Sequence, residues 1–320
     1  MPATVYFVTN RALAGPAEDW HSYGAGIVAP SDPGAVTYGT AFVNDAGLTA
    51  DTTGAITTIQ DVSKGDFGAA AKGDLSAPGC NLMVFIHGFD NSFENAITRA
   101  AYIQQWFAGS GVAGANTKVI AFSWPSLGKL LSFPVPWDDY LRDQTMAGQS
   151  ATHLMTVFRR LRPILQAARG NGARAVLIAH SMGNWALQAG LEAWFLHGGE
   201  QVPVFDEAIL AAADERFDSF AMPPLGRLSG LSRFARRVSV YFSRDDAVLH
   251  LSGTINGLRR LGTNGPDNRS DTTLFPTATY RMIDCSAMRD YPFDFASSHQ
   301  YYRRSVLARR DLAAVIAGTV

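Results

Sequence analysis

The sequence predicts an α/β fold: a mainly parallel central sheet flanked by helices, with extra strands at its N-terminal edge. Three observations carry this. Short apolar runs recur at 82–86, 119–122, 175–179 and 238–242, and they are continuous rather than alternating, as strands buried on both faces are. Stretches long enough for helices separate them, so the strands are joined by crossovers and run parallel. Apolar residues make up 47% of the 320 and charged residues 17%, which supplies a large core and argues against disorder.

The elements follow in order. Residues 1–11 have no basic stretch ahead of an apolar core, so they read as a first strand rather than a signal peptide. Residues 20–75 are rich in Gly, Thr, Ala and Asp, with β-prone pieces at 26–28, 36–38 and 55–59, and read as edge strands and turns. The strand at 82–86 leads to a helix from about 91, where Asn91 and Glu94 have the spacing of a capping box. A strand at 119–122 follows. Residues 138–169 read as one long amphipathic helix, with Met155, Val157, Phe158, Leu161 and Leu165 on or near one face, stopped at Gly170-Asn171-Gly172. Then come a strand at 175–179, a helix over about 182–197, strands at 208–212, 238–242 and 279–283, and a last helix over about 299–317. No repeat or low-complexity linker interrupts this, so 1–320 is expected to form a single domain.

Composition excludes several functions. Lys and Arg number 27 against 28 Asp and Glu, a net charge of −1, which argues against a strong basic field for nucleic acid. No run reaches the roughly 18 apolar residues that span a bilayer, and a soluble cytoplasmic protein is expected. Cys80 and Cys285 are too few for a disulfide scaffold and are read as free thiols. No metal-ligand spacing, phosphate loop or dinucleotide fingerprint is present, so neither a metal nor a cofactor is expected.

Ligands on a parallel sheet bind at the carboxyl ends of its strands. After the strand at 175–179 comes Ala179-His180-Ser181-Met182-Gly183: strand, sharp turn, helix, with a serine at the apex. A nucleophilic serine needs this arrangement, because the strained turn exposes its Oγ. The positions two before and two after must be small where backbones cross, and they are Ala179 and Gly183. The nearest second match, Trp124-Pro125-Ser126-Leu127-Gly128, fails at Trp124. After 82–86, His87-Gly88 brings the backbone N–H of Phe89 to the pocket mouth, where with that of Met182 it can bind an oxyanion. The His87 side chain is read chiefly as shaping this loop.

A serine nucleophile needs a base, and the base an acid, in the chain order Ser, Asp or Glu, His. Of the histidines beyond Ser181, His197 sits where a helix ends and His250 inside a helix, while His299 lies in the long loop after the last strand and is the expected base. Asp246, directly after the strand at 238–242, is the expected acid; Asp245 and Asp214 are alternatives. A helix cap, or a salt bridge to Arg216 or Arg244, is the competing reading of these carboxylates. The pocket is expected to be apolar, from Trp124, Phe133 and Trp137 with His87 beside them, and 125–138 is read as a small flap or a loop packed on the sheet edge. A small-molecule ester with a hydrophobic or aromatic part is the expected partner.

The segments Val84-Phe85-Ile86-His87-Gly88-Phe89, Phe122-Ser123-Trp124-Pro125-Ser126, Leu177-Ile178-Ala179-His180-Ser181-Met182-Gly183-Asn184, Tyr241-Phe242-Ser243-Arg244-Asp245-Asp246-Ala247 and Ser298-His299 together resemble a bacterial alpha/beta-hydrolase family, long catalogued only as a domain of unknown function with esterase-like members. The opening Val8-Thr9-Asn10-Arg11 is similar to its first strand, and the resemblance covers about 5–305. It implies a serine hydrolase of the alpha/beta-hydrolase fold with Ser181 as nucleophile, Asp246 as acid and His299 as base; it says little about substrate, and hydrolysis of a carboxylic ester is the expected reaction. Where the family tends to have Pro-Asp followed by another Asp, this chain has Ala213-Asp214-Glu215, which leaves Asp214 open as a second acid or a pocket-lining group. The same triad serves thioesters and amides. A non-catalytic binding protein on this scaffold is the remaining alternative, although such a protein would be expected to have lost a triad member.

Overall fold

The computed structural model describes residues 2–128, 137–221 and 227–320. Its strands are β1 (Ala3–Thr9), β2 (Arg11–Leu13), β3 (Tyr23–Ile27), β4 (Thr37–Val43), β5 (Ile56–Lys64), β6 (Asn81–Ile86), β7 (Thr117–Ser123), β8 (Ala175–His180), β9 (Phe205–Ala211), β10 (Ala235–Phe242) and β11 (Tyr280–Asp284). Nine form one sheet in the order β11-β10-β9-β8-β6-β7-β1-β4-β5, and β2 and β3 form a separate antiparallel pair. From β11 to β1 all neighbours are parallel. β4 is antiparallel to both β1 and β5. The α/β expectation is met, with N-terminal strands at the edge; β1 itself lies inside the sheet, between β7 and β4.

The two faces sort the residues of each strand. Leu82, Val84 and Ile86 of β6 pack with Leu154, Val157, Phe158 and Leu187 from the helices Ala151–Gly170 and Gly183–Leu196. Met83 and Phe85 point the other way, to Ile97, Ala101, Leu312 and Val315 from the helices Phe93–Ala108 and Val306–Ala317. Continuous apolar runs are the sequence signature of this double burial.

Three local readings are corrected. The helix at 93–108 is capped by Ser92, whose Oγ accepts from Asn95 N at 3.1 Å; Asn91 instead donates to the Gly88 and Phe89 carbonyls. The stretch 138–169 is two helices, Trp137–Gln149 and Ala151–Gly170. Ser150, at their joint, donates back to Met146 O at 2.9 Å and accepts from Asn10 Nδ2 at 2.9 Å, a local bond that competes with regular helix. The last helix is a single turn, Tyr301–Arg304, followed by Val306–Ala317, which Ser305 caps.

The chain runs from β6 to β7 on one side, then returns across β6 to β8 on the other. The carboxyl ends of β6 and β8 therefore flank the point where strand order reverses, the place where an open parallel sheet leaves a crevice. Arg11 ties the neighbouring loops together. Its buried guanidinium donates to Ser123 Oγ (3.0 Å), to the carbonyls of Gly24 and Ser126 (3.0 Å each) and to that of Asn91 (2.6 Å). Burial pushes it down to about 9.

Among the described residues no helix is long and apolar enough to cross a membrane. Cys80 and Cys285 are both free thiols. Because Arg11→Met leaves four acceptors without their donor, it is expected to cost about 3 kcal/mol, seen as a lower urea midpoint at unchanged slope. An unchanged midpoint would show that the strap does not hold the loops.

Candidate active site

Ser181 follows β8 directly and has φ of 54°, the left-handed region that a non-glycine residue enters only when its surroundings hold it there. Its N–H donates to Ala211 O at 3.0 Å; its carbonyl accepts from Asn184 N and Asn184 Nδ2 (3.0 Å each) and from Asp214 N (3.1 Å). Asn184 Nδ2 also donates to Ala179 O at 3.0 Å, so one amide spans the turn. A Cβ on Gly183 would sit 2.5 Å from the carbonyl oxygens of both Ile86 and His87, and one on Gly88 would sit 2.8 Å from Ser181 Cβ. Ala179 fits its position fully buried. Met182 is the N-cap of the helix Gly183–Leu196, so its N–H lies at the positive end of that helix. No hydrogen bond takes the N–H of Met182 or of Phe89 among the described residues.

His299 Nδ1 lies 2.7 Å from Asp246 Oδ2. The other Asp246 oxygen accepts from Leu249 N at 2.9 Å and caps the helix Ala247–Asn256, so the helix-cap reading and the acid reading hold at once. A proton on Nδ1 facing the carboxylate leaves Nε2 as the ring's acceptor. Nε2 is buried and among the described residues has no hydrogen-bond partner, Ser181 Oγ included. His299 and Ser181 face the same cavity of about 260 Å³. In ligand-free sites such a contact is often long and tightens when substrate binds.

The other candidates lie elsewhere. Asp245 is ion-paired with Arg289 at 2.6 Å. Asp214 accepts from Arg260 Nε (2.8 Å), Tyr140 Oη (2.8 Å) and Ser252 Oγ; it reaches the cavity but bonds no histidine. The Arg216 and Arg244 readings give way, since Arg216 pairs with Asp218 and Arg244 with Asp284. His197 ends a helix in solvent, and His250 Nε2 lies 2.7 Å from Arg244 O.

The pocket expectations need correction. Trp124 is fully buried; its indole N–H donates to His87 O at 2.7 Å and its ring stacks on the His87 imidazole, centroids 4.9 Å apart. Both lie behind the cavity wall and support the loop that carries Phe89. Trp137 begins a helix, 54% exposed, and is not among the residues that line the cavity. Phe133 and the rest of 129–136 lie outside the described residues, so the flap is not described there. The apolar wall comes instead from Phe89, Tyr140, Val248, Leu251 and Ile255. The last three share one face of the helix after Asp246, and their spacing was the available signal. Leu249 faces the core, while Val248 lines the cavity.

His180 was also missed. Its Nε2 lies 3.2 Å from His299 O, its ring packs between those of His299 and Tyr302, and its Nδ1 is buried without a partner. Among the described residues no cluster of histidine, cysteine or carboxylates could hold a metal.

The match to a family model agrees with the architecture. A family described as "Alpha/beta hydrolase of unknown function (DUF900)" matches residues 70–306. No curated protein matches the chain. A hormone-sensitive lipase from a metagenome library is 11% identical over 76% of this chain and 79% of its own, with a TM-score of 0.37. The ester-hydrolase EH1AB1 from the metagenome of Lake Arreo, solved with a bipyridine phosphonate derivative, is 14% identical over 98% and 82%, with a TM-score of 0.39. An esterase from Rhizomucor miehei is 11% identical over 89% and 78%, with a TM-score of 0.34.

Two predictions follow from the packing. Gly183→Ala should force the turn off the loop after β6 and cost about 2 kcal/mol or more, read as a lower melting temperature together with lost activity. A stable, fully active variant would mean the crossing is not tight. The second concerns acid. Burial, then the nearby Arg11 charge, pushes His87 down to about 3, and burial pushes His180 well below its ordinary value. Unfolded histidine binds its proton near pH 6.5, so between about pH 6.5 and 3 the unfolded chain holds more protons. This contribution to stability is complete above pH 6.5 and is lost as pH falls. The melting temperature should drop from pH 7.5 to 5, and His87→Gln should remove part of that slope; an unaltered slope in the variant counts against it.

Proposed function

The chain belongs to the alpha/beta hydrolase family of unknown function, and from that premise we propose that it is a serine carboxylesterase. Ser181 is the nucleophile, His299 the base and Asp246 the acid, and the N–H groups of Phe89 and Met182 form the oxyanion hole. One observation carries this reading: a histidine held by a carboxylate at 2.7 Å keeps a buried Nε2 with no partner among the described residues, and it lines the same cavity as Ser181, which stands in a left-handed turn. The four elements hang from strands of one sheet, which favours a single domain.

The mechanism follows. His299 Nε2 takes the Ser181 proton as Oγ attacks the ester carbonyl. Negative charge on the carbonyl oxygen is held by the two N–H groups, which need no reorganisation to meet it. Asp246 Oδ2 faces Nδ1 and balances the imidazolium. His299 then gives its proton to the leaving alcohol, and the acyl group stays on Ser181. Water, deprotonated by the same nitrogen, attacks the acyl-enzyme and frees the acid and the serine. The hydrophobic part of the ester rests on Val248, Leu251 and Ile255.

With 4-nitrophenyl butyrate as substrate, Ser181→Ala should lower kcat/KM about 10⁴-fold and abolish labelling by a fluorophosphonate. Retained activity, or labelling at another residue, would sink the assignment. Asp246→Asn keeps a capping oxygen for Leu249 but spoils the partner of Nδ1, so the loss should be about 10³-fold or more while the fold survives. Asp214→Asn should cost far less in kcat. The reverse order would move the acid to Asp214.

A further inference from the structure

The cavity beside Ser181 has two unlike walls. The apolar one, from the helix after Asp246, accounts for a hydrophobic group. The wall opposite carries Arg99, Arg303 and Arg304, with Asp51 and Asp90. Arg304 is ion-paired with Asp51. Arg99 and Arg303 are different: among the described residues no carboxylate comes within ion-pair distance of either, and Asp214 across the cavity is committed to Arg260. The charges of Asp51 and Asp90 reach Arg99, and that of Asp51 reaches Arg303, but the side chains that bond them are neutral. Arg99 Nη1 donates to Asn91 Oδ1 at 2.6 Å, and Arg303 Nε donates to Gln300 Oε1 at 2.7 Å.

Arg303 is only 5% exposed. Burial, and then the like charge of Arg99, push it down to about 9, while burial also lowers Arg99. Burying a cation is costly unless it is paired, and holding a second beside it adds repulsion. A scaffold role would be met as well by a neutral amide. Two guanidiniums kept side by side on a catalytic cavity are a fork-shaped receptor for a planar anion, which each can bind through parallel N–H donors.

We infer that the substrate of this site is an ester that also bears a carboxylate, with its apolar part on Val248, Leu251 and Ile255 and its carboxylate on Arg99 and Arg303. This deepens the esterase reading and rests on it. The net charge of −1 says nothing against it, because the two cations are local and internal.

The test uses matched ester pairs on the wild-type protein. Mono-4-nitrophenyl glutarate is compared with 4-nitrophenyl valerate, and 4-carboxyphenyl butyrate with phenyl butyrate, so that the carboxylate lies on either side of the ester. At least one anionic ester should exceed its neutral partner about tenfold or more in kcat/KM, the worth of a charge-assisted pair. Arg99→Gln should lower that ratio at least tenfold. Neutral esters preferred in both pairs overturn the inference and leave the esterase reading intact. If no ester is hydrolysed, that reading fails by itself, and the anion site is then read by calorimetry. Ser181→Ala should bind monomethyl glutarate and not methyl valerate, and adding Arg99→Gln should abolish the binding. Equal binding of the two esters, or no binding of either, overturns the inference.

Discussion

The architecture of this site depends on one close crossing. The turn after β8 passes over the loop after β6 with no room for a side chain between them. Gly183 lies against the carbonyls of Ile86 and His87, and Gly88 lies against Ser181. Van der Waals contact of bare backbone thus sets how far Ser181 stands from the N–H of Phe89. Supports are stacked behind the crossing. Trp124 lies flat on His87, and Arg11 joins the loops after β6 and β7 to the β2–β3 pair. The strained dihedral at Ser181 persists because the carbonyl and amide bonds of Ala211, Asn184 and Asp214 over-determine it.

Around the crossing, buried charges are arranged in separate compartments. Asp214, Arg260, Tyr140 and Ser252 form a closed network on one flank. Next to it, burial raises Glu215 to about 8, and its Oε2 accepts from Ser219 Oγ at 3.2 Å. Asp246 bonds its own histidine and its own helix end.

Much of this was legible in the sequence, for physical reasons. Strands buried on both faces declare themselves as unbroken apolar runs, and the strand–serine–helix turn declares itself through Ala179 and Gly183. A chain-order rule then led to His299 and Asp246, which meet at 2.7 Å. The pocket was not legible. Trp124 is a large apolar residue just after a strand, and nothing in its neighbourhood tells a cavity wall from a buried prop. The cationic wall was hidden for a different reason. Arg99 comes from the helix after β6 and Arg303 from the chain's last turns, so only the fold brings them together, and a balanced total charge conceals them. The split of 138–169 into two helices was invisible because Ser150 is broken out of line by Asn10, a partner far away in sequence.

The two oxygens of Asp246 have a mechanical consequence. One holds His299 and the other holds the first turn of the helix that bears Val248, Leu251 and Ile255. The imidazole and the pocket wall are therefore hinged on a single carboxylate. Side chains on that wall can be exchanged for larger or smaller ones while the helix backbone stays registered to the imidazole. A change that tilts the helix itself has no such freedom, because it is felt at once by His299.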